Sequence, residues 1–323
     1  MAVYTEVDDE ALAAFLEQYD IGRAVSCKGV AEGVENSNYL LVTDRGPYFL
    51  TLYEKRVREA DIPFFLGLME HLAKAGVSCP QPVEGRDGQA LRRLAGRPAA
   101  IVTFMNGVWP RRPNAAQCAE VGTALARLHE AQKGFAMTRP NDLSVDGWRK
   151  LVDACRARAD TVQPGLAAML DEEIATLGPS WPGERPELPR GVIHADLFPD
   201  NVLFLENRVS GLIDFYFACT DFLVYDLAVT LNAWCFEADG AFNSTKGRAL
   251  MRAYQAVRPL SPAERRLLPL FARGASLRFL LTRLYDWLNQ VPGALVKPKD
   301  PLEYARKLIF HRGVDSSGAY GLE

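Results

Sequence analysis

Apolar residues recur in two rhythms over the first hundred positions. Leu12, Phe15, Leu16 and Tyr19 fall on one face of a helix over 8–19, the spacing of an element laid against a core. From Ala24 the period shortens to two. Residues 24–29, 39–43 and 47–53 read as strands, the last two joined by the turn Asp44-Arg45-Gly46. A loop over 29–38 carries Gly29, Gly33, Asn36 and Ser37. Helical spacing returns over 59–74 with Phe65, Leu68, Met69 and Leu72 inward, and Gly76 closes it. Cys79-Pro80-Gln81-Pro82 breaks the chain, and 89–94 and 97–104 complete a set of five strands.

The second part is mainly helical. Asn114 is a capping residue, and Cys118, Val121, Leu125 and Leu128 follow at helical spacing to His129. Residues 144–177 continue as helix, and Pro179, Pro182, Pro186 and Pro189 mark an irregular connection. Then Val192-Ile193 forms a short strand, and two apolar runs, 202–205 and 209–213, flank the polar turn Glu206-Asn207-Arg208 as a hairpin. Helices are expected through Leu227, Val229 and Leu231 to Trp234, and over 245–257, 262–289 and 301–311, with a mobile tail from Asp315. The pattern predicts an α+β chain of two lobes: 1–104 with an antiparallel five-stranded sheet plus helix, and 105–323 mainly helical.

At 323 residues each lobe can bury its own core. A net charge of −3 leaves no basic excess for nucleic acid or an anionic membrane. No apolar run reaches the ~20 residues of a membrane span, and residues 1–6 carry no secretion pattern, so a cytoplasmic location is expected. Six cysteines without a C-x-x-C pair point to buried thiols, and four histidines argue against a His-rich metal hydrolase.

The chemistry concentrates between the strand and the hairpin, in His194-Ala195-Asp196-Leu197-Phe198-Pro199-Asp200-Asn201, with Asp214 ending the hairpin. Asp200 and Asn207 are adequately explained as turn formers. Asp196, Asn201 and Asp214 are not. Phosphoryl transfer needs a carboxylate to take the proton of an attacking hydroxyl, and hard oxygens to hold magnesium against nucleotide phosphates. Asp196 is assigned as the base, Asn201 and Asp214 as Mg2+ ligands, and His194 as the residue that shapes the loop.

This segment, H-A-D-L-F-P-D-N followed by I-D-F, resembles the catalytic segment of the aminoglycoside phosphotransferase and choline kinase superfamily, the small-molecule branch of the protein-kinase-like fold. The resemblance implies ATP and Mg2+ as cofactors and a phosphate loop built on Gly29, Gly33, Asn36 and Ser37. It also implies an adenine-binding hinge at Phe104 to Asn106 and a bracing role for Asp226. One position departs from the pattern. Thr51 stands where the third strand usually carries a phosphate-pairing lysine. Lys55 shares the face of that strand but lies ~13 Å further on, leaving Lys28 as a candidate cation. Glu59 and Glu70, without that lysine, read as solvated helix charges.

Further stretches, Asn36-Ser37-Asn38-Tyr39, Leu50-Thr51-Leu52-Tyr53-Glu54 and Asn232-Ala233-Trp234-Cys235 among them, resemble the bacterial homoserine kinases of this superfamily. That resemblance implies L-homoserine and ATP as small-molecule partners; the oligomeric state stays open. A homoserine pocket needs an arginine to fork onto the carboxylate. Arg278 and Arg283 lie among the apolar residues of one helix. Arg283 is taken as the substrate ligand, with Tyr216, Trp234 and Asp221 as pocket wall, although Arg283 could instead serve Asp286 or Asp226. Other acceptors, another small amino alcohol or an aminoglycoside, remain open, as does a nucleotide-binding module impaired at Thr51.

Overall fold

A computed structural model describes residues 5–30, 36–54, 57–183, 185–290 and 298–322. The residues 31–35, which include Gly33, and Lys55 lie outside the described set.

Helix α1 (Asp9–Leu16) starts at Asp8, whose carboxylate accepts the Ala11 N–H. Strands β1 (Ala24–Gly29), β2 (Ser37–Thr43), β3 (Gly46–Leu52), β4 (Arg92–Leu94) and β5 (Arg97–Thr103) form one antiparallel sheet in the order β1-β2-β3-β5-β4. Period-two alternation sorts its side chains between the faces. Tyr39, Leu41, Leu50, Leu52 and Ile101 pack outward against Leu12, Phe15 and Leu16 of α1. Ala100 and Val102 turn the other way, into a second core that also takes in Phe65, Leu68, Met69 and Leu72 of α2 (Ile62–Lys74) and runs through the rest of the molecule. The two halves therefore share one continuous apolar interior.

Helices α3 (Ala115–Ala131), α4 (Val145–Ala159), α5 (Leu166–Ser180), α6 (Leu223–Trp234), α7 (Ser244–Val257), α8 (Pro262–Leu288) and α9 (Leu302–Arg312) build the second half. Asn114 and Gln117 form a reciprocal capping box on α3. Ser261 and Glu264 do the same for α8, with Pro262 in its first turn. The helices α3 and α7 approach closely at Gly122, where an added methyl would lie 2.3 Å from the Leu250 carbonyl oxygen. Strand β6 (Arg190–Ile193) pairs with β9 (Cys219–Phe222), and β7 (Val202–Leu205) with β8 (Arg208–Leu212).

Four expectations need correction. The helix expected over 144–177 breaks into α4 and α5, because Gly165 takes a left-handed φ of 83°. Residues 89–91 do not join β4; Gly85 N–H bonds to Gln89 O and makes that stretch a turn. Strand β9 was not expected. The tail is docked rather than loose: the buried Tyr320 hydroxyl meets His311 Nδ1 at 2.7 Å, and Leu322 is buried too. The thiols behave as expected, with five of the six cysteines buried and all unpaired.

Candidate active site

The loop after β6 turns sharply. Ala195 has φ +63° and Asp214, directly after β8 and Ile213, has φ +64°, both in the left-handed region that non-glycine residues rarely occupy. Such conformations persist only where surrounding bonds over-determine them, and both sites are so held. The Asp226 carboxylate, wholly buried in α6, accepts the His194 N–H at 2.7 Å and the Ala195 N–H at 2.8 Å. His129 Nε2 lies 3.1 Å from the same carboxylate, and its Nδ1 meets the Tyr254 hydroxyl at 2.7 Å. Arg258 donates to that hydroxyl at 3.0 Å and to Glu264 at 2.8 Å. A buried chain of polar groups thus links the loop to α3, α7 and the start of α8. Burial pulls the Asp226 acid upward, but the His129 hydrogen bond, the two imidazoles and the backbone N–H prevail and hold it below its ordinary range.

His194 is buried. Its Nε2 faces the Ile213 carbonyl at 3.0 Å, so that nitrogen carries the proton, and Nδ1 accepts the Asp196 N–H at 3.3 Å. Burial pushes its basicity down, against the opposing pull of the Asp226 carboxylate. His194 therefore ties the loop to the residue before Asp214 and does not touch the cleft chemistry itself.

The three oxygen-bearing residues converge. Asn201 Nδ2 donates to Asp196 O at 2.8 Å and to Asp196 Oδ2 at 3.2 Å. Ile213 N–H donates to Asn201 O at 3.0 Å, which brings Asp214 alongside. With its amide nitrogen committed to Asp196, Asn201 keeps its side-chain oxygen for another partner. Desolvation pushes the Asp196 acid up to about 8; Arg278 pulls it down and Asp214 pushes it further up. Desolvation also pushes Asp214 up to about 6. Asp214 is exposed at the cleft floor yet enclosed by protein on most sides, so water screens part of that effect. Two carboxylates with raised affinity for protons, Asp196 in part through Asp214 and Asp214 in part through Asp200, beside a spare amide oxygen, are a donor set suited to a hard divalent cation.

The roof of the cleft is the inner face of the sheet. Thr51 lies opposite Asn38 and donates to its Oδ1 at 2.9 Å. Leu40 pairs with Phe49, and Phe49 stacks on Phe104 at 5.9 Å. One end of the roof is thus polar and the other an apolar slot. Lys28, opposite Leu40, belongs to the same face by register. Asn36 Oδ1 accepts the Glu54 N–H and Ser37 Oγ donates to the Glu54 carboxylate, so both fix the base of the loop that begins at Gly29. Asn106 O accepts the Ser210 hydroxyl and anchors the segment after β5 to β8. Glu59, exposed, pairs with Arg93, and Glu70, half-buried, pairs with Lys74.

The substrate-side expectations fare less evenly. Tyr216 packs edge-on against Tyr53 and Phe65, joining the halves beside Asp214. Trp234 does not line the cleft: its indole N–H donates to Leu197 O behind the loop, and the ring is buried. Asp221 is also turned away, accepting from Asn141 at 2.8 Å and from the Phe222 N–H. Arg283 meets Glu303 at 2.6 Å and lies over Tyr304, engagements that hold it against α9. Arg278 reaches the loop instead and donates to Ala195 O. Lys299 went unmarked in the sequence. It pairs with Asp200 at 3.1 Å and lowers both Asp196 and Asp214, yet it stands about a hundred positions away with no pattern linking it to them.

Residues 26–260 match the phosphotransferase enzyme family. The chain belongs to that family. Among its relatives, the homoserine kinase of Rhodospirillum rubrum is 64% identical over 322 residues, covering 100% of this chain and 99% of that protein. The homoserine kinase of Parvibaculum lavamentivorans is 62% identical over 323 residues, with both chains fully covered. Proteins of known structure share the fold at much lower identity. An amicoumacin kinase in complex with AMP-PNP and Ca2+ superposes with a TM-score of 0.67 at 14% identity, over 94% of this chain and 92% of that one. A microcompartment-associated aminopropanol kinase gives 0.63 at 18% identity, over 98% and 99%. These likenesses establish the protein-kinase-like, two-lobed α+β fold. Among the described residues no helix is long and apolar enough to cross a membrane.

Proposed function

We propose that this chain transfers the terminal phosphoryl group of ATP to the side-chain hydroxyl of L-homoserine, giving O-phospho-L-homoserine and ADP. The observation that carries the reading is the joining of Asp196 to Asn201 beside Asp214, in a chain more than 60% identical end to end to homoserine kinases.

In this reading Asp196 takes the proton of the acceptor hydroxyl as its oxygen attacks the terminal phosphorus in line, and the bond to the ADP oxygen breaks. Asn201 and Asp214 hold Mg2+, which when bound offsets the negative charge of the phosphates. His194 and Asp226 position the loop without touching substrate. Phe104 to Asn106 meet adenine through their backbone, with Leu40, Phe49 and Val102 as the apolar roof. Gly29, Gly33, Asn36 and Ser37 shape the phosphate loop, and Thr51 with Asn38 contributes neutral polar groups where a lysine is usual. Lys28, on the same face by register, is the candidate cation to replace that lysine. The hinge then divides the chain into lobes 1–104 and 105–323.

The test is a coupled ADP-release assay over homoserine, choline, methylthioribose and an aminoglycoside. Homoserine should be preferred by orders of magnitude. Comparable turnover of any other alcohol would discard the acceptor while leaving the kinase reading intact.

A further inference from the structure

Four cationic side chains are buried among the described residues: Arg258, Arg278, Arg283 and Lys307. A buried cation is costly unless an anion meets it. Arg258 has Glu264, and both Arg283 and Lys307 have Glu303. Arg278 is only 2% exposed, and no carboxylate of the described residues lies within ion-pair distance of it. One Nη donates to the Ala195 carbonyl, and Nε is buried without a hydrogen-bond partner. Its plane packs over Phe279 at 4.2 Å and near Phe217 at 5.5 Å.

The surroundings locate this unanswered charge. Ala195 immediately precedes Asp196, and Phe217 lies three residues after Asp214. Arg278 thus stands at the floor of the cleft between the two segments that carry the reacting groups, near enough to Asp196 to pull its acidity down. The stacked rings fix the guanidinium plane, and a planar, aromatic-backed fork with an idle donor is the form in which arginine receives a carboxylate.

Resting on the homoserine reading above, we propose that Arg278, and not Arg283, is the specificity residue that receives the α-carboxylate of the acceptor. A short carbon chain separates that carboxylate from the hydroxyl presented to Asp196. The anion supplied by the substrate completes a pair that the protein leaves half-made, so an amino alcohol lacking the carboxylate gains nothing from Arg278. The charge borne by the substrate, rather than its length, becomes the basis of selection.

The test compares L-homoserine with its neutral carboxamide and with 3-aminopropan-1-ol, on the wild-type chain and on Arg278→Gln and Arg278→Lys. Wild type should favour homoserine over the carboxamide by roughly 10²-fold in kcat/KM, the discrimination available to a charge-assisted pair. In Arg278→Gln that preference should collapse toward unity through a rise in the KM for homoserine, with the KM for ATP unchanged, and Arg278→Lys should recover part of it. The ratio between acceptors is insensitive to general damage from losing the bond to Ala195 O, since such damage lowers all substrates alike. Equal losses on all three acceptors, or a rise in the KM for ATP, would overturn the assignment and make Arg278 a loop brace or phosphate ligand. If Arg278→Gln does not fold, a wild-type enzyme that takes homoserine and its carboxamide equally well is enough to overturn it. Failure of wild type to phosphorylate homoserine at all would instead remove the reading on which it rests.

Discussion

Replacing Asp226 with asparagine removes one oxygen from a buried carboxylate with three hydrogen-bond partners. The carboxylate receives the His194 and Ala195 amides at 2.7 and 2.8 Å and faces His129 at 3.1 Å, all in the dry core. Asparagine keeps one oxygen and turns an NH2 against a remaining donor. Leaving one or two buried N–H groups unanswered costs ~1–3 kcal/mol each, offset in part by no longer burying a charge. A net loss of about 3 kcal/mol is expected. The sign of its pH dependence is fixed. The Asp226 acid is held below its ordinary range, so the stabilisation it gives is present at neutral pH and disappears as the solution is acidified through that lowered value. Thermal unfolding of both proteins from pH 7 down to pH 3 should show the gap narrowing. Turnover should fall by about 10²-fold, the cost of displacing a reacting group by ~1 Å. The loss should sit in kcat, because no ATP-facing group is touched. An Asp226→Asn protein with the wild-type melting temperature and kcat would refute the idea that this carboxylate fixes the loop.

Three further outcomes follow from particular contacts. Asp196→Asn should lower turnover by roughly 10²–10⁴-fold yet stabilise the metal-free protein. The raised Asp196 acid stabilises the fold fully below its ordinary value, and that contribution is lost as pH climbs to about 8; the gain in melting temperature should therefore grow over that window, and a constant difference would contradict the shift. Gly122→Ala pushes a methyl to 2.3 Å from Leu250 O and should cost ~1–3 kcal/mol by denaturant unfolding with both KM values unchanged. Lys28→Met should raise the KM for ATP by roughly fivefold at low salt, and less at high salt, because the side chain is exposed.

The sequence is most legible where chemistry is local. Asp196 and Asn201 are five positions apart and Asp214 closes the adjoining hairpin, so a short loop and two strands force their approach with no distant information. Helices with regular stripes, such as α2 and α3, are legible for the same reason. Strand β9 is not, because its four residues pair with the equally short β6 and, through Thr220, with Pro140, both distant in sequence. The two arginines of α8 show a different limit. Arg278 and Arg283 lie five residues apart, about 140° around the helix, and both sit among apolar residues. Periodicity says that each is buried but not which one faces the cleft; that depends on α9, whose Glu303 claims Arg283. Trp234 reads as pocket wall until Leu197 O is seen to take its indole N–H in the core.

The polar chain from Asp226 through His129, Tyr254 and Arg258 to Glu264 also bears on dynamics. The amide protons of His194 and Ala195 point at an anion in the core, and that anion is coupled onward to three helices from distant parts of the sequence. A segment secured in this way has no local opening mode. Its deuterium uptake is set by disruption of the whole helical half, and it should rank among the slowest-exchanging stretches. Asp196 is in effect welded to the most persistent cooperative unit of the protein, and any motion that admits nucleotide or releases ADP falls to the sheet above it.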